Sequence, residues 1–309
     1  MYEAFFGLRE KPFALTPNTG FMVQLPPYQA CLNLLRVALA EGEGFIKVTG
    51  EVGTGKTLLC RALLKQLDPE QYQLAWLPNP SLDPMALRQA LAHELHVPSA
   101  EALDDHGLLA ALHHRLIELA GLGKSTVVLI DEAQALPPST LEALRLLTNL
   151  ETEQRKLLQV VLFGQPELDA TLASDSFRQL RQRITFSYRL QPLDVSDAHR
   201  YLDERLAAAG FVGEPLFTAG AVRLLVRGSG GIPRLINILA NKCLMAAFGK
   251  GERRIGRRHV RRALADTEGA RSFTRASMPW RWAMLAGIAS VSLVLGAWPL
   301  LSRLIEVSL

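Results

Sequence analysis

The octapeptide Gly50-Glu51-Val52-Gly53-Thr54-Gly55-Lys56-Thr57 stands between the apolar run Phe45-Ile46-Lys47-Val48 and the helix-forming stretch Leu58-Leu59-Cys60-Arg61-Ala62-Leu63. Strand, glycine turn and helix in that order aim the N–H groups of the turn and the helix N-terminus at one point, which favours an anion there. Glycines at this spacing, closed by Lys and Thr, make a phosphate loop. Lys56 is expected to reach the β- and γ-phosphates of a nucleotide and Thr57 to hold Mg²⁺, with the backbone from Gly50 to Leu58 wrapping the remainder. Such a loop works only where a buried parallel strand feeds a helix, so it commits the chain to an α/β fold.

A second segment points to hydrolysis. Thr126-Val127-Val128-Leu129-Ile130 is an unbroken apolar run, as expected of a strand buried on both faces, and it ends in Asp131-Glu132. Asp131 is placed to hold the metal's water shell and Glu132 to polarise an attacking water. Further apolar runs at 73–77, 157–163 and 184–190 alternate with helical periodicity at 85–95, 108–119 and 141–150, which predicts a parallel sheet with helices on both faces. The run at 73–77 falls between the loop helix and the Asp131-Glu132 strand, so that strand is expected away from the loop's own. Past Pro192 the strand signals stop, and 194–209, 218–227, 233–248 and 257–266 read as four helices of a small α-helical domain.

Charge divides unevenly along the chain. Residues 1–249 carry 23 Lys+Arg against 26 Asp+Glu, whereas residues 250–281 carry 10 against 3. The excess lies in Arg253, Arg254, Arg257, Arg258, Arg261 and Arg262, with Arg271, Arg275 and Arg281 after them. From Trp282 to Ser302 no residue is charged, and as a helix these 21 residues span about 31 Å, enough to cross a bilayer. Arginines on its N-terminal side and tryptophans near both ends predict a single transmembrane helix with the body cytoplasmic. A buried or interfacial helix is the alternative, because Gly, Ser and Pro299 dilute the apolarity. Cys31, Cys60 and Cys243 are scattered without metal-site or redox spacing, and Met1–Gly7 lacks the apolar stretch of a secretory signal. The expected organisation is an arm and first helix over 1–43, an α/β core over 44–192 and a helical lid over 193–268. A basic linker over 269–281, the span over 282–302 and a short periplasmic tail over 303–309 follow.

Four segments carry a resemblance to the ExeA/GspA group of AAA+ ATPases, which serve secretion and pilus systems in Gram-negative bacteria. They are Phe6-Gly7-Leu8-Arg9-Glu10-Lys11-Pro12-Phe13 with Thr16-Pro17, the 50–57 loop, Asp131-Glu132-Ala133-Gln134, and Gly164-Gln165-Pro166-Glu167-Leu168. Asn18-Thr19, Leu25-Pro26-Pro27 and residues 44–50 are most similar to members that build the mannose-sensitive haemagglutinin pilus. The resemblance covers about residues 1–268 and implies a P-loop NTPase core, ATP and Mg²⁺ as ligands, and self-association as a ring or dimer. It implies Gln165 as a residue that helps position the attacking water, and Arg234 in Gly231-Ile232-Pro233-Arg234 as one that swings toward the γ-phosphate. It also implies Arg183, or Arg181, as an arginine that reaches a neighbouring subunit's nucleotide, and an aromatic arm near the adenine. Ordinary roles stand beside these: a strand-end glutamine, a Pro-capped helix, solvated arginines.

Two other functions remain open from sequence, an ATP-dependent DNA-binding protein and a nucleotide-binding membrane adaptor with little turnover. The acidic balance of 1–249 speaks against nucleic acid, and intact Lys56, Thr57, Asp131 and Glu132 speak for turnover. The expected partners are further copies of the chain and inner-membrane components of a pilus or secretion machine.

Overall fold

The computed structural model describes residues 1–16, 19–78, 81–151 and 156–270. Five parallel strands form one sheet: β1 (Phe45–Gly50), β2 (Tyr72–Leu77), β3 (Ser125–Ile130), β4 (Leu158–Gly164) and β5 (Ile184–Leu190), in the order β2-β3-β4-β1-β5. Every residue of β4 is buried, and its run of Leu, Val and Phe fits a central strand that has helices on both faces. β4 lies between β1 and β3, so the strand ending at Asp131 is one place removed from the strand that feeds the loop. The registers Thr49↔Gly164 and Ile130↔Leu162 bring the ends of the three strands level.

The helices start where chemistry allows. α3 (Lys56–Gln66) leaves directly from Gly55, whose φ of 100° only glycine adopts without strain. α4 (Pro84–Glu94), α5 (Asp105–Gly121), α9 (Val195–Ala208) and α10 (Ala219–Ser229) begin under side-chain caps from Asp83, Asp104, Asp194 and Thr218. α2 (Pro26–Ala40), α6 (Pro138–Leu147), α7 (Pro166–Ala173) and α11 (Pro233–Phe248) begin with proline, whose missing N–H costs nothing in the first turn. α8 (Arg178–Arg183) is a short piece before β5, and α1 (Tyr2–Phe6) opens the chain.

Two hydrophobic clusters cover the two faces of the sheet. One gathers α4, α5 and α6 against Val128, Ile130, Val160 and Leu162. The other joins Val127, Leu129, Val161 and Phe163 to α2 and α3, and continues without a break into the lid of α9, α10, α11 and α12 (Arg257–Ala265). The N-terminal arm belongs to this second cluster and packs on the lid. Arg9 N–H donates to Ala209 O at 2.8 Å, Phe13 meets Phe217 edge-on, and Phe5 meets Phe248.

α12 divides the arginine-rich segment that sequence treats as one. His259, Val260, Ala263 and Leu264 face the lid core, while Arg257, Arg258, Arg261 and Arg262 form its exposed face. These four are part of a folded surface, and only Arg271, Arg275 and Arg281 stand between it and the uncharged run. Among the described residues no helix is long and apolar enough to cross a membrane. The expected span at 282–302, its tail at 303–309 and linker residues 271–281 lie outside the described residues.

Candidate active site

The loop is braced by hydrogen bonds of the protein's own. Gly53 and Gly55 take left-handed backbone, the Thr54 hydroxyl donates to Glu51 O at 2.8 Å, and the Tyr28 hydroxyl of α2 donates to Thr54 O at 3.0 Å. Lys56, only 5% exposed, donates from Nζ to Gly50 O at 2.7 Å and Glu51 O at 3.0 Å. Burial lowers its pKa, and the carboxylates of Glu132 and Asp131 oppose that shift. An ammonium so placed gains most from an anion, because phosphate oxygens would return the solvation that burial removes.

Asp131 follows β3 and is 4% exposed. Burial raises its pKa, and a hydrogen bond from Thr57 together with the Glu132 N–H, at 3.0 Å from Oδ1, holds the other way. Two hard oxygen donors, one carboxylate and one hydroxyl, thus meet at the root of the loop. That set fits Mg²⁺, which takes one or two protein oxygens and fills its remaining positions with water and phosphate.

Glu132 has φ of 52°, a left-handed backbone that costs a side chain about 1 kcal/mol or more. The turn aims its carboxylate back over the sheet. Oε2 accepts from Gln134 Nε2 at 2.7 Å and Gln165 Nε2 at 3.0 Å. Gln134 Oε1 in turn accepts the Gln165 N–H at 2.9 Å, so one glutamine ties the end of β3 to the end of β4. Burial pulls the Glu132 pKa up, but the two amide donors and Lys56 hold it below the usual carboxylate value. Both amides use Oε2, and Oε1 has no partner among the described residues. That oxygen is free to accept a proton from water.

The lid completes the site. Arg234 N–H donates to Gly53 O at 3.1 Å, and its exposed side chain borders the same cavity as Lys56, Thr57 and Glu132, about 340 Å³ in volume. Gly231 fixes this approach: its N–H and carbonyl bond Val226 and Leu193, and a Cβ there would stand 2.3 Å from Leu193 O. A larger depression of about 620 Å³ on the lid, near Lys242 and Asp266, contains none of these groups.

Residues 50–58, Asp131, Glu132, Gln165 and Arg234 therefore converge at the C-terminal edge of the sheet. Arg181 and Arg183 do not. Ile184, the first residue of β5, pairs with Phe45, the first of β1, so both arginines sit at the opposite edge from their own loop. Arg183 Nη1 rests on Arg145 O and Thr148 Oγ1, each at 3.3 Å. Arg181 Nη1 caps α7 through Leu172 O at 3.1 Å and Ala173 O at 2.7 Å.

Sequence reasoning gives no role to Tyr28 and names Gln134 only within a motif. It passes over Tyr201, Arg205 and Asn237, which line the cavity from the lid. A polar side chain within an apolar helical stripe is the one signal these last three carry.

Comparison with known proteins gives the family. An AAA domain matches residues 39–172. General secretion pathway protein A of Aeromonas hydrophila is 42% identical over 298 residues, covering 96% of this chain and 53% of that protein, so the chain spans about half the length of its relative. Among solved structures, Cdc6p of Pyrobaculum aerophilum aligns with TM-score 0.60 at 19% identity, covering 79% of this chain and 69% of that one. The Aeropyrum pernix ORC1 protein, solved in complex with DNA, aligns with TM-score 0.60 at 21% identity, covering 83% and 69%. At such identities these two establish a shared fold and nothing of function. The sequence likeness reaches further, since it runs through the loop, the Asp131-Glu132 strand and the lid together: the chain belongs to the ExeA/GspA family of AAA+ ATPases.

Proposed function

We propose that the chain is a Mg²⁺-dependent ATPase that drives assembly or remodelling of a secretion or pilus machine in the Gram-negative envelope. The observation that carries the chemistry is Glu132, held by two glutamines with one carboxylate oxygen open, beside Lys56 and the Thr57–Asp131 pair. Lys56 and the loop N–H groups neutralise and orient the phosphates. Glu132 Oε1 accepts a proton from the attacking water, with Gln165 keeping the carboxylate in place. Thr57 and Asp131 would hold Mg²⁺, which would supply charge stabilisation to the phosphates.

Lys56→Ala is expected to lose nucleotide binding, and Glu132→Gln to bind ATP but turn it over about 10²-fold or more slowly. A Glu132→Gln protein that hydrolyses at the wild-type rate would remove Glu132 from the mechanism.

The envelope role takes its support from the secretion-pathway relative, and the pilus of the mannose-sensitive haemagglutinin type from residues 18–19, 25–27 and 44–50. Self-association as a dimer or ring is supported by Arg183, which lies at the opposite edge of the sheet from its own loop, where it would have to give up its long contacts to Arg145 O and Thr148 Oγ1 to serve a neighbour's. Anchoring at the inner membrane rests on the uncharged run 282–302 and the arginines before it. Alkaline phosphatase fused after Leu309 should be active. A signal only from a cytosolic reporter would remove the anchor.

ATP-dependent DNA binding is a second reading, favoured by the exposed arginine face of α12. Retention of a labelled duplex that falls steeply with salt, and disappears when the four arginines become glutamine, would select it.

A further inference from the structure

The polar corner of the nucleotide cavity farthest along the lid is wired in one direction. Arg205 of α9 is 6% exposed and can only donate. Its Nε donates to Pro12 O at 2.7 Å and Nη2 to Ala14 O at 3.2 Å, its guanidinium lies over the ring of Phe21, and Nη1 donates to the Tyr201 hydroxyl at 3.4 Å. Tyr201 is buried, and burial keeps its phenol protonated. With its oxygen occupied as an acceptor, the Tyr201 hydroxyl spends its proton on Asn237, 3.0 Å away.

An amide facing a donor must turn its oxygen to it. This chain of donors therefore decides the orientation of Asn237. Oδ1 accepts from Tyr201, and Nδ2 makes no hydrogen bond among the described residues. Asn237 stands one helical turn beyond Arg234 on α11, and both line the cavity that holds Lys56 and Thr57. Val23 and Leu15 supply apolar wall beside it.

We propose that Asn237 reads the base of the bound nucleotide: its Nδ2 donates to a ring-nitrogen acceptor of the purine, with Tyr201 and Arg205 as positioning residues that fix the amide. The inference rests on the nucleotide-binding reading above. It adds a selection step that the phosphate contacts cannot supply, because every nucleoside triphosphate offers the loop the same phosphates. A pocket built to donate a hydrogen bond penalises a base lacking the acceptor, since the amide then loses water without gaining a partner.

The test uses the full chain and calorimetric titration with ADP and with 1-deaza-, 3-deaza- and 7-deaza-ADP, each of which replaces one ring nitrogen by C–H. Wild type should bind one of the three about 5- to 10-fold more weakly than ADP. In Asn237→Asp, which keeps an acceptor for Tyr201 and replaces the donor, that penalty should vanish, whatever the added charge does to all four ligands alike. In Tyr201→Phe the amide turns freely and the same penalty should fall by about half. All three analogues binding within two-fold of ADP, or a penalty that survives unchanged in Asn237→Asp, would overturn the base-reading role and leave nucleotide binding standing. Failure of wild type to bind ADP would overturn both.

Discussion

Gly53→Ala tests how the lid is seated on the loop. Gly53 has φ of 83°, and its carbonyl accepts the Arg234 N–H. A Cβ there would stand 2.6 Å from Arg234 Cβ and 3.2 Å from Ile232 Cγ2. Left-handed backbone costs an alanine about 1 kcal/mol. The Cβ–Cβ contact cannot be relieved by a rotamer, and forcing it costs about 1–3 kcal/mol more. Lifting α11 off the loop forfeits one backbone hydrogen bond, about 1 kcal/mol net, which is the cheaper escape. The apo protein should therefore lose only about 2–4 °C of melting temperature per kcal/mol of backbone strain. ATP affinity should fall about 10-fold or more, as Arg234 withdraws from the cavity it shares with Lys56 and Thr57. Titration calorimetry on Gly53→Ala, Arg234→Gly and the double variant separates lid displacement from direct obstruction of the phosphate. Because both single changes remove the same Arg234 contribution, the double variant should lose less affinity than the sum of the two, a coupling of about 1 kcal/mol. Wild-type ATP affinity in Gly53→Ala, or strict additivity in the cycle, would refute the seating argument.

Gln134→Leu should move the acid limb of the kcat/KM profile to higher pH. The wild-type Glu132 pKa is held below the ordinary carboxylate value, so its ionised form persists as pH falls; with a donor gone, burial prevails and the limb rises. An unmoved limb would detach Gln134 from Glu132. Arg183→Ala mixed with Lys56→Ala should recover activity that neither has alone, whereas Arg181→Ala should lower melting temperature and leave mixing unaffected, since Arg181 caps α7; equal rescue by both would deny the distinction. Arg205→Ala should cost about 2–4 kcal/mol and speed hydrogen exchange at residues 9–14, because two arm carbonyls lose their buried donor. Unchanged exchange there would mean that other contacts hold the arm.

The parts of the site legible in sequence are those whose chemistry demands adjacent residues. A loop that wraps phosphate must be continuous, so Gly50–Thr57 is readable, and Asp131-Glu132 is readable because it ends an apolar strand. The three inner strands β1, β3 and β4 stand out because nearly all their residues are buried, which leaves β4 with almost nothing polar, while the edge strands β2 and β5 are half-exposed. Tyr28 is invisible to such reasoning: its hydroxyl meets Thr54 O across 26 residues, and a lone tyrosine on an apolar helix face has the same signature in any core. Gln134 sits in a motif with a recognisable wording, yet its bridge to Gln165 exists only because β4 inserts between β1 and β3. The arginines mislead for a related reason. A charge tally runs together the exposed face of α12 and the later Arg271, Arg275 and Arg281, while the buried His259, Val260, Ala263 and Leu264 mark the boundary by periodicity.

The attachment of the arm to the lid has a consequence for how the protein is made. Tyr2 bonds Asn241 across 239 residues, and Arg205 clasps the Pro12 carbonyl across 193. A ribosome adding about 5–20 residues per second needs roughly 10–50 s between these partners, while the α/β core that lies between them can already close. Throughout that interval the aromatic start of the chain has nowhere native to go. Phe5, Phe6 and Phe13 wait for partners until the last helices emerge, which makes the nascent arm a natural client for chaperones and a place where slowed or truncated synthesis leaves apolar rings uncovered.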